Sequence, residues 1–219
     1  MLKLTAAETN ALKQQPESGM GYQLVEATQY DDRIKRGIVY NAELFFEENE
    51  SRSILYRLSA PRVLEQATRS TGQFKSLRVL SRKDAPTTLS ERTPTDAKAV
   101  PAKEAPVEQT KEGDVFKRFS AFKNDIRLQA DGSWSEGTYA TTEEDAKNVK
   151  TGKEAVERYA LANPDPACYV FTGSPKKDTR IQRGTVEPAF GRKGGGVEVI
   201  FPKGTQANTV NGPQEIPKE

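Results

Sequence analysis

Apolar and polar positions change their period several times along the chain, and each change marks an element. "GYQLVEATQYDDRIKRGIVYNAELFF", residues 21–46, alternates with period two on either side of Asp31-Asp32, which predicts two strands joined there as a hairpin. Before it, "TAAETNALKQQ" opens on Thr5 with Glu8 three residues later, a capping box that predicts a short helix. "SRSILYRLSAPRVLEQATRS" has helical spacing at Leu55, Leu58, Val63, Leu64 and Ala67, split by Pro61. "FKSLRVLSR" then returns to a strand pattern. Residues 1–82 therefore read as a small α+β module.

Residues 83–112 lose all periodicity. This stretch has four prolines, charges of both signs, and neither glycine nor an aromatic residue, the composition of a solvated linker that buries too little apolar surface to order. Beyond it, "DVFKRFSAF" places Phe116, Phe119 and Phe122 at helical spacing. "DIRLQADGSW" reads as strand and turn, and "GTYATTEEDAKNV" as a strand running into a helix capped by Thr141 and Glu144. Thr151 and Glu154 form a further capping box ahead of "GKEAVERYAL". "ACYVFTG", "TRIQRGTV" and "VEVIF" are strand patterns. Residues 113–219 thus predict a second α+β unit with helices between strands.

Composition narrows the chemistry. The 219 residues carry 33 Lys and Arg against 31 Asp and Glu, and "SPKKDTR" is too short a basic run to imply a nucleic-acid partner. The chain has no histidine, which rules out Ser-His-Asp and Cys-His catalysis and, with Cys168 as the one cysteine, ordinary zinc sites. Cys168 has no intramolecular disulfide partner, and its apolar surroundings in "PACYVF" predict an inert buried thiol. Mean hydropathy is -0.74 and no run approaches the roughly 18 apolar residues of a membrane helix, so no membrane partner is expected. The N-terminus has no apolar secretory core, which predicts a protein made in the cytoplasm, with signal-independent export left open.

The densest candidate chemistry lies in "VEPAFGRKGGGVEVIF", residues 186–201. On the closing strand, alternation puts Val197, Val199 and Phe201 on one face and Glu198 with Ile200 on the other. Glu198 reads either as a solvated edge residue or as a carboxylate at the rim of a cleft. Gly194, Gly195 and Gly196 suit a plain hairpin loop or a backbone cradle for a phosphate or amide. Arg127 and Arg158 read as salt-bridge partners or as pyrophosphate forks. Trp134 and Tyr139 are core residues or stacking platforms for a nicotinamide or adenine ring.

Taken in order, the strand arginine with "ADG", then "GTYAT", "ERYAL-NPDP", "YVFT" and "IQRGTVEPAFGRKGGGVEVIF" resemble the tuberculosis necrotizing toxin family of NAD glycohydrolases over about residues 125–202. That resemblance implies an α+β domain with a mostly antiparallel sheet of ADP-ribosyltransferase type. It implies NAD, or NADP, as substrate with no prosthetic group, and an immunity protein or delivery machinery as partner. Arg127 is similar to the family's phosphate-gripping arginine, Tyr139 to its aromatic position, Arg158 to the arginine of its helix motif, and Phe190 to the phenylalanine before the glycines. Glu198 falls where the family has glutamine, and strand glutamates are the essential residue of ADP-ribosyltransferases. There it would stabilise positive charge on the ribose as the nicotinamide bond breaks. Arg192 and Lys193 replace the family's Gln-Pro, and its histidine is missing. The expected function is an NAD-cleaving, toxin-like effector; the alternative is a catalytically silent binding or structural component of a phage or secretion assembly.

Overall fold

A computed structural model describes residues 2–42, 44–47, 68–69, 74–80, 100–162 and 166–219. The helix expected over 51–70, apart from Thr68–Arg69, which form a strand, and the first part of the expected linker lie outside the described residues. What is described is an α+β fold built on two sheets, every strand pair antiparallel except one.

The first sheet holds β1 (Leu2–Lys3), β2 (Tyr22–Gln29), β3 (Ile34–Tyr40), β4 (Leu44–Glu47), β5 (Thr68–Arg69) and β6 (Phe74–Leu80), in the order β5-β1-β4-β3-β2-β6. The β2–β3 hairpin turns at Asp31-Asp32 as the alternation predicts, with Asp32 at φ 62°. Parity then decides burial. Tyr22, Leu24, Ile38, Tyr40, Leu44 and Phe46 share one face, while Val25, Ala27, Val39 and Phe45 share the other. Helix α1 (Ala6–Lys13) covers the second face through Leu12, and its predicted capping box is present, Thr5 and Glu8 bonding reciprocally. The first face is closed from the other half of the chain by Ala162, with Phe122 and Phe190 packed at its edge. Tyr40 also donates its hydroxyl proton to the Ala162 carbonyl.

The second sheet runs β13-β10-β8-β9-β12-β11-β7. Its strands are β7 (Val107–Gln109), β8 (Phe116–Ser120), β9 (Thr138–Thr142), β10 (Tyr169–Gly173), β11 (Arg180–Thr185), β12 (Val197–Phe201) and β13 (Val210–Glu215). Short helices α2 (Glu143–Ala146) and α3 (Gly152–Arg158) connect β9 to β10, α3 with the predicted Thr151–Glu154 capping box. The sheet is buried on both faces. Phe119, Tyr139, Val170 and Ile200 pack with α3 on one face; Phe116, Trp134, Ala140, Phe171, Val199 and Phe201 pack on the other.

Several local expectations change. "DVFKRFSAF" contains strand β8 rather than a helix. Phe116 and Phe119 are three apart, so on a strand they point to opposite faces, and a sheet buried on both sides wants both apolar. The run 125–134 holds no strand: Arg127 sits in a loop closed by the Gln129 amide on the Ser133 carbonyl and by an isolated bridge between Leu128 and Trp134. Trp134 is core, tilted against Phe201. The α2 cap is Thr142 on the Asp145 amide, one residue later than the predicted Thr141–Glu144 pair. Cys168 is half-buried.

The largest correction concerns residues 100–112, which composition assigns to the linker. They form a fastened strap. A 3-10 turn at Ala102–Glu104 leads into β7, which pairs with β11 through Gln109↔Arg180 and Val107↔Gln182. The Thr185 amide donates to the Val100 carbonyl, and Gln182 Nε2 donates to Ala105 O at 2.8 Å. Ala102 is wholly buried, so two short alanines and a ladder supply the order that the missing aromatics would not. The strap lies so close to Gly184 that a methyl group there would overlap the Ala102 amide nitrogen. Gly184→Ala should therefore destabilise the protein by roughly 1–3 kcal/mol in urea unfolding; an unchanged midpoint would mean that the strap does not hold this position in solution.

Candidate functional site

Glu198 stands on β12 opposite Gly184 of β11, on the face shared with Ile200, as the alternation predicts. It is at neither a wet face nor a cleft rim. The residue is only 3% exposed, and its Oε1 accepts the Ala102 N–H at 2.9 Å. The strap thus supplies a backbone donor to the one carboxylate that breaks the apolar strand, as burial of a charge requires.

The glycine triplet caps a helix. The last carbonyls of α3 need partners from outside the helix. Gly194 N–H donates to Glu157 O at 3.0 Å, and Gly196 N–H to Arg158 O at 3.1 Å. Between them, Gly195 N–H reaches Val186 O at 2.9 Å. All three amides are spent inside the chain. Gly194, at φ +65°, lies where a side chain would press on the Val186 carbonyl, and Gly196 rests on the Tyr159 ring, so the docking needs bare backbone. Arg192 of the same loop pairs with Glu157 at 2.7 Å, which ties the loop to α3 a second time.

Arg158, at the end of α3, grips Asp145 side-on, Nη2 to Oδ1 at 2.5 Å and Nε to Oδ2 at 3.0 Å. Burial acts to raise the Asp145 pKa, but the hydrogen bonds and charge of Arg158 hold the carboxyl below its ordinary value. Phe190, at φ 55°, packs edge-on against Tyr22 of the first sheet with ring centroids 5.1 Å apart.

Arg127 belongs to a cluster that no sequence pattern announces. Its Nη2 donates to Gln15 O at 2.9 Å, and its Nε lies 3.5 Å from Glu17 Oε1. Glu17 is held chiefly by Arg118 of β8, Nη2 to Oε1 at 2.8 Å and Nη1 to Oε2 at 2.9 Å. Arg118 Nε reaches Asp125 Oδ2 at 3.0 Å, and its Nη1 also donates to the Tyr139 carbonyl at 2.8 Å. Two guanidiniums and two carboxylates therefore balance in the interior, Arg118 being 1% exposed. Burial pulls the Arg118 pKa down, and the charges of Asp125 and Glu17 overcome it and hold it above the ordinary value. Burial lowers that of Arg127. Tyr139 is itself buried: its amide donates to Glu17 Oε2 at 3.2 Å, and it pairs with Ile200 across the sheet.

The predicted residues thus separate into groups. Arg127 and Tyr139 meet at Glu17; Arg158 meets the glycine triplet at the end of α3; Glu198 lies under the strap; Phe190 lies on the first sheet. Arg118 and Glu17 were missed because "FKRFS" reads as a helix and because "QQPESG" has no periodicity. The one available signal was an arginine amid apolar strand positions. Next to the cluster is a cavity of about 230 Å³ between Pro16 and Glu17 on one side and the cross-strand row Tyr139, Ile200 and Gln182 on the other. Among the described residues, no group of His, Cys, Asp and Glu could hold a metal ion, and no helix is long and apolar enough to cross a membrane.

Asp125 gives the cluster a pH signature. Burial acts to raise its pKa, but the Arg118 charge and the hydrogen bond from the Arg127 amide hold it below the ordinary carboxylate value. A depressed folded value contributes stability that is complete above the unfolded value of about 3.9 and is lost as pH falls through the folded one. The urea midpoint should accordingly fall on acidification below about pH 4. Asp125→Asn, less stable at neutral pH, should lose less over that window. An equal loss in both proteins would remove Asp125 from the account.

Neither a family model, nor a curated protein, nor a solved structure matches this chain.

Proposed function

We propose that this chain is a binding or structural component whose NADase-like residues serve the fold and leave it silent towards NAD. One observation carries the reading. Groups that NAD cleavage would need are bonded within the chain: Glu198 accepts from Ala102 and Arg127 is held by Gln15 and Glu17, all outside residues 125–202, and Arg158 is held by Asp145. A carboxylate that stabilises a ribose cation has to reach the anomeric carbon, and one beneath a backbone turn does not. Phosphate-gripping arginines likewise need open donors.

A second reading, an NAD glycohydrolase or ADP-ribosyltransferase with Glu198 as its carboxylate, is favoured by the cavity. Glu198 and Ile200 share a face of β12, and Ile200 with Tyr139 lines the 230 Å³ space. NAD or NADP would be its substrate, and an immunity protein or delivery machinery its partner.

Incubating the purified full chain with NAD and measuring free nicotinamide separates the two. The silent reading expects release no faster than in a protein-free blank, for the parent and for Glu198→Gln alike. Sustained release by the parent that Glu198→Gln abolishes, with the fold intact, would establish the second reading in its place.

A further inference from the structure

The Glu17 carboxylate is surrounded as a bound ligand would be. Four hydrogen bonds converge on it, from Nη1 and Nη2 of Arg118 and from the amides of Tyr139 and Gly21, and Arg127 Nε adds its charge at 3.5 Å. All of these but the Gly21 amide come from the second module, whereas Glu17 arrives on the loop that follows α1. Bidentate guanidinium and backbone N–H donors form the usual receptor for a carboxylate or phosphate. The neighbouring cavity extends from Glu17 along Pro16, Tyr139, Ile200 and Pro202, with the Gln182 carboxamide beside them. Its volume of about 230 Å³ is several times the roughly 30 Å³ that one water occupies in the liquid. The space opens to solvent past exposed side chains, so a ligand can enter it.

We propose that Arg118, Arg127 and the Tyr139 amide form an oxyanion-binding site, that Glu17 is its tethered occupant, and that the adjoining cavity takes the apolar body of an anionic ligand. Charge balance gives the site its selectivity. Asp125 neutralises one of the two guanidiniums whatever Glu17 does. Without Glu17 the interior keeps one unpaired positive charge, a costly state that an external anion relieves. Pro16, Tyr139, Ile200 and Pro202 give the cavity an apolar wall, with Gln14, Lys103 and Glu136 at its exposed rim, so the anion that fits best carries a flat apolar group that faces this wall. The ligand class is an aromatic or heteroaromatic carboxylate or phosphate.

The test uses the full chain as Glu17→Ala, with acetate, benzoate and inorganic phosphate as probes in calorimetry and thermal melting. Benzoate should bind at least tenfold more tightly than acetate and raise the melting temperature of the variant, while the parent protein, its site filled, binds neither. Phosphate binding as tightly as benzoate would place the affinity in the charge alone and overturn the role of the cavity. No binding by the folded variant, or equal affinity for acetate and benzoate, would overturn the proposal. If Glu17→Ala does not fold, Glu17→Ser, which also empties the site but keeps a small hydroxyl there, takes its place. Failure of both variants to fold would make Glu17 an inseparable part of the core and likewise overturn the proposal.

Discussion

The ion pair between Glu17 and Arg118 joins what the chain makes first to what it makes later. It crosses 101 positions of sequence, and both side chains are almost wholly buried. Removing water from two charges costs more than their attraction returns unless other groups complete the shell. Here Asp125, Arg127 and the backbone of Tyr139 complete it. The geometry of β8, β9 and the loop after α1 is therefore mutually fixed. A shift of any one strands a charge in the interior. The apolar contacts of Ala162, Phe122 and Phe190 with the first sheet add area to this joint, but charge pairing sets its register.

Much of the fold was legible because burial on a sheet leaves a period of two. The β2–β3 hairpin and strands β6, β10, β11 and β12 lie where alternation or apolar runs put them, and the capping boxes at Thr5 and Thr151 are read directly from residue spacing. Legibility failed where a strand is apolar on both faces. Phe116 and Phe119 satisfy a helix template and a doubly buried strand equally, and periodicity has no means of choosing between them. It failed again at residues 100–112, where composition averages over thirty residues and hides a short segment fastened by Ala102, Ala105 and a ladder.

The candidate site was legible as a set of residues and not as an arrangement. Glu198 was placed on the correct face of its strand, but nothing in the sequence tells which distant segment covers that face. Ala102 lies 96 positions away. Arg158 was read as either an ion pair or a phosphate fork, and its bidentate grip on Asp145 realises the first. The glycine triplet suits, by sequence, a plain hairpin loop or a cradle for a group from outside. Its amides instead serve carbonyls inside the molecule, because a helix that ends in the interior needs donors that no side chain there supplies.

That docking has a consequence in time. Helix α3 spans seven residues, too few to persist alone in water, and its closing partners are Gly194 and Gly196. At roughly 5–20 residues per second, a ribosome needs a few seconds to pass from the end of the helix to those glycines. Helix formation itself takes about a microsecond. Over that interval the α3 segment forms and melts many times, and it is captured when the loop before β12 emerges. Docking of α3 on the second sheet thus waits for a loop made some forty residues after the helix begins.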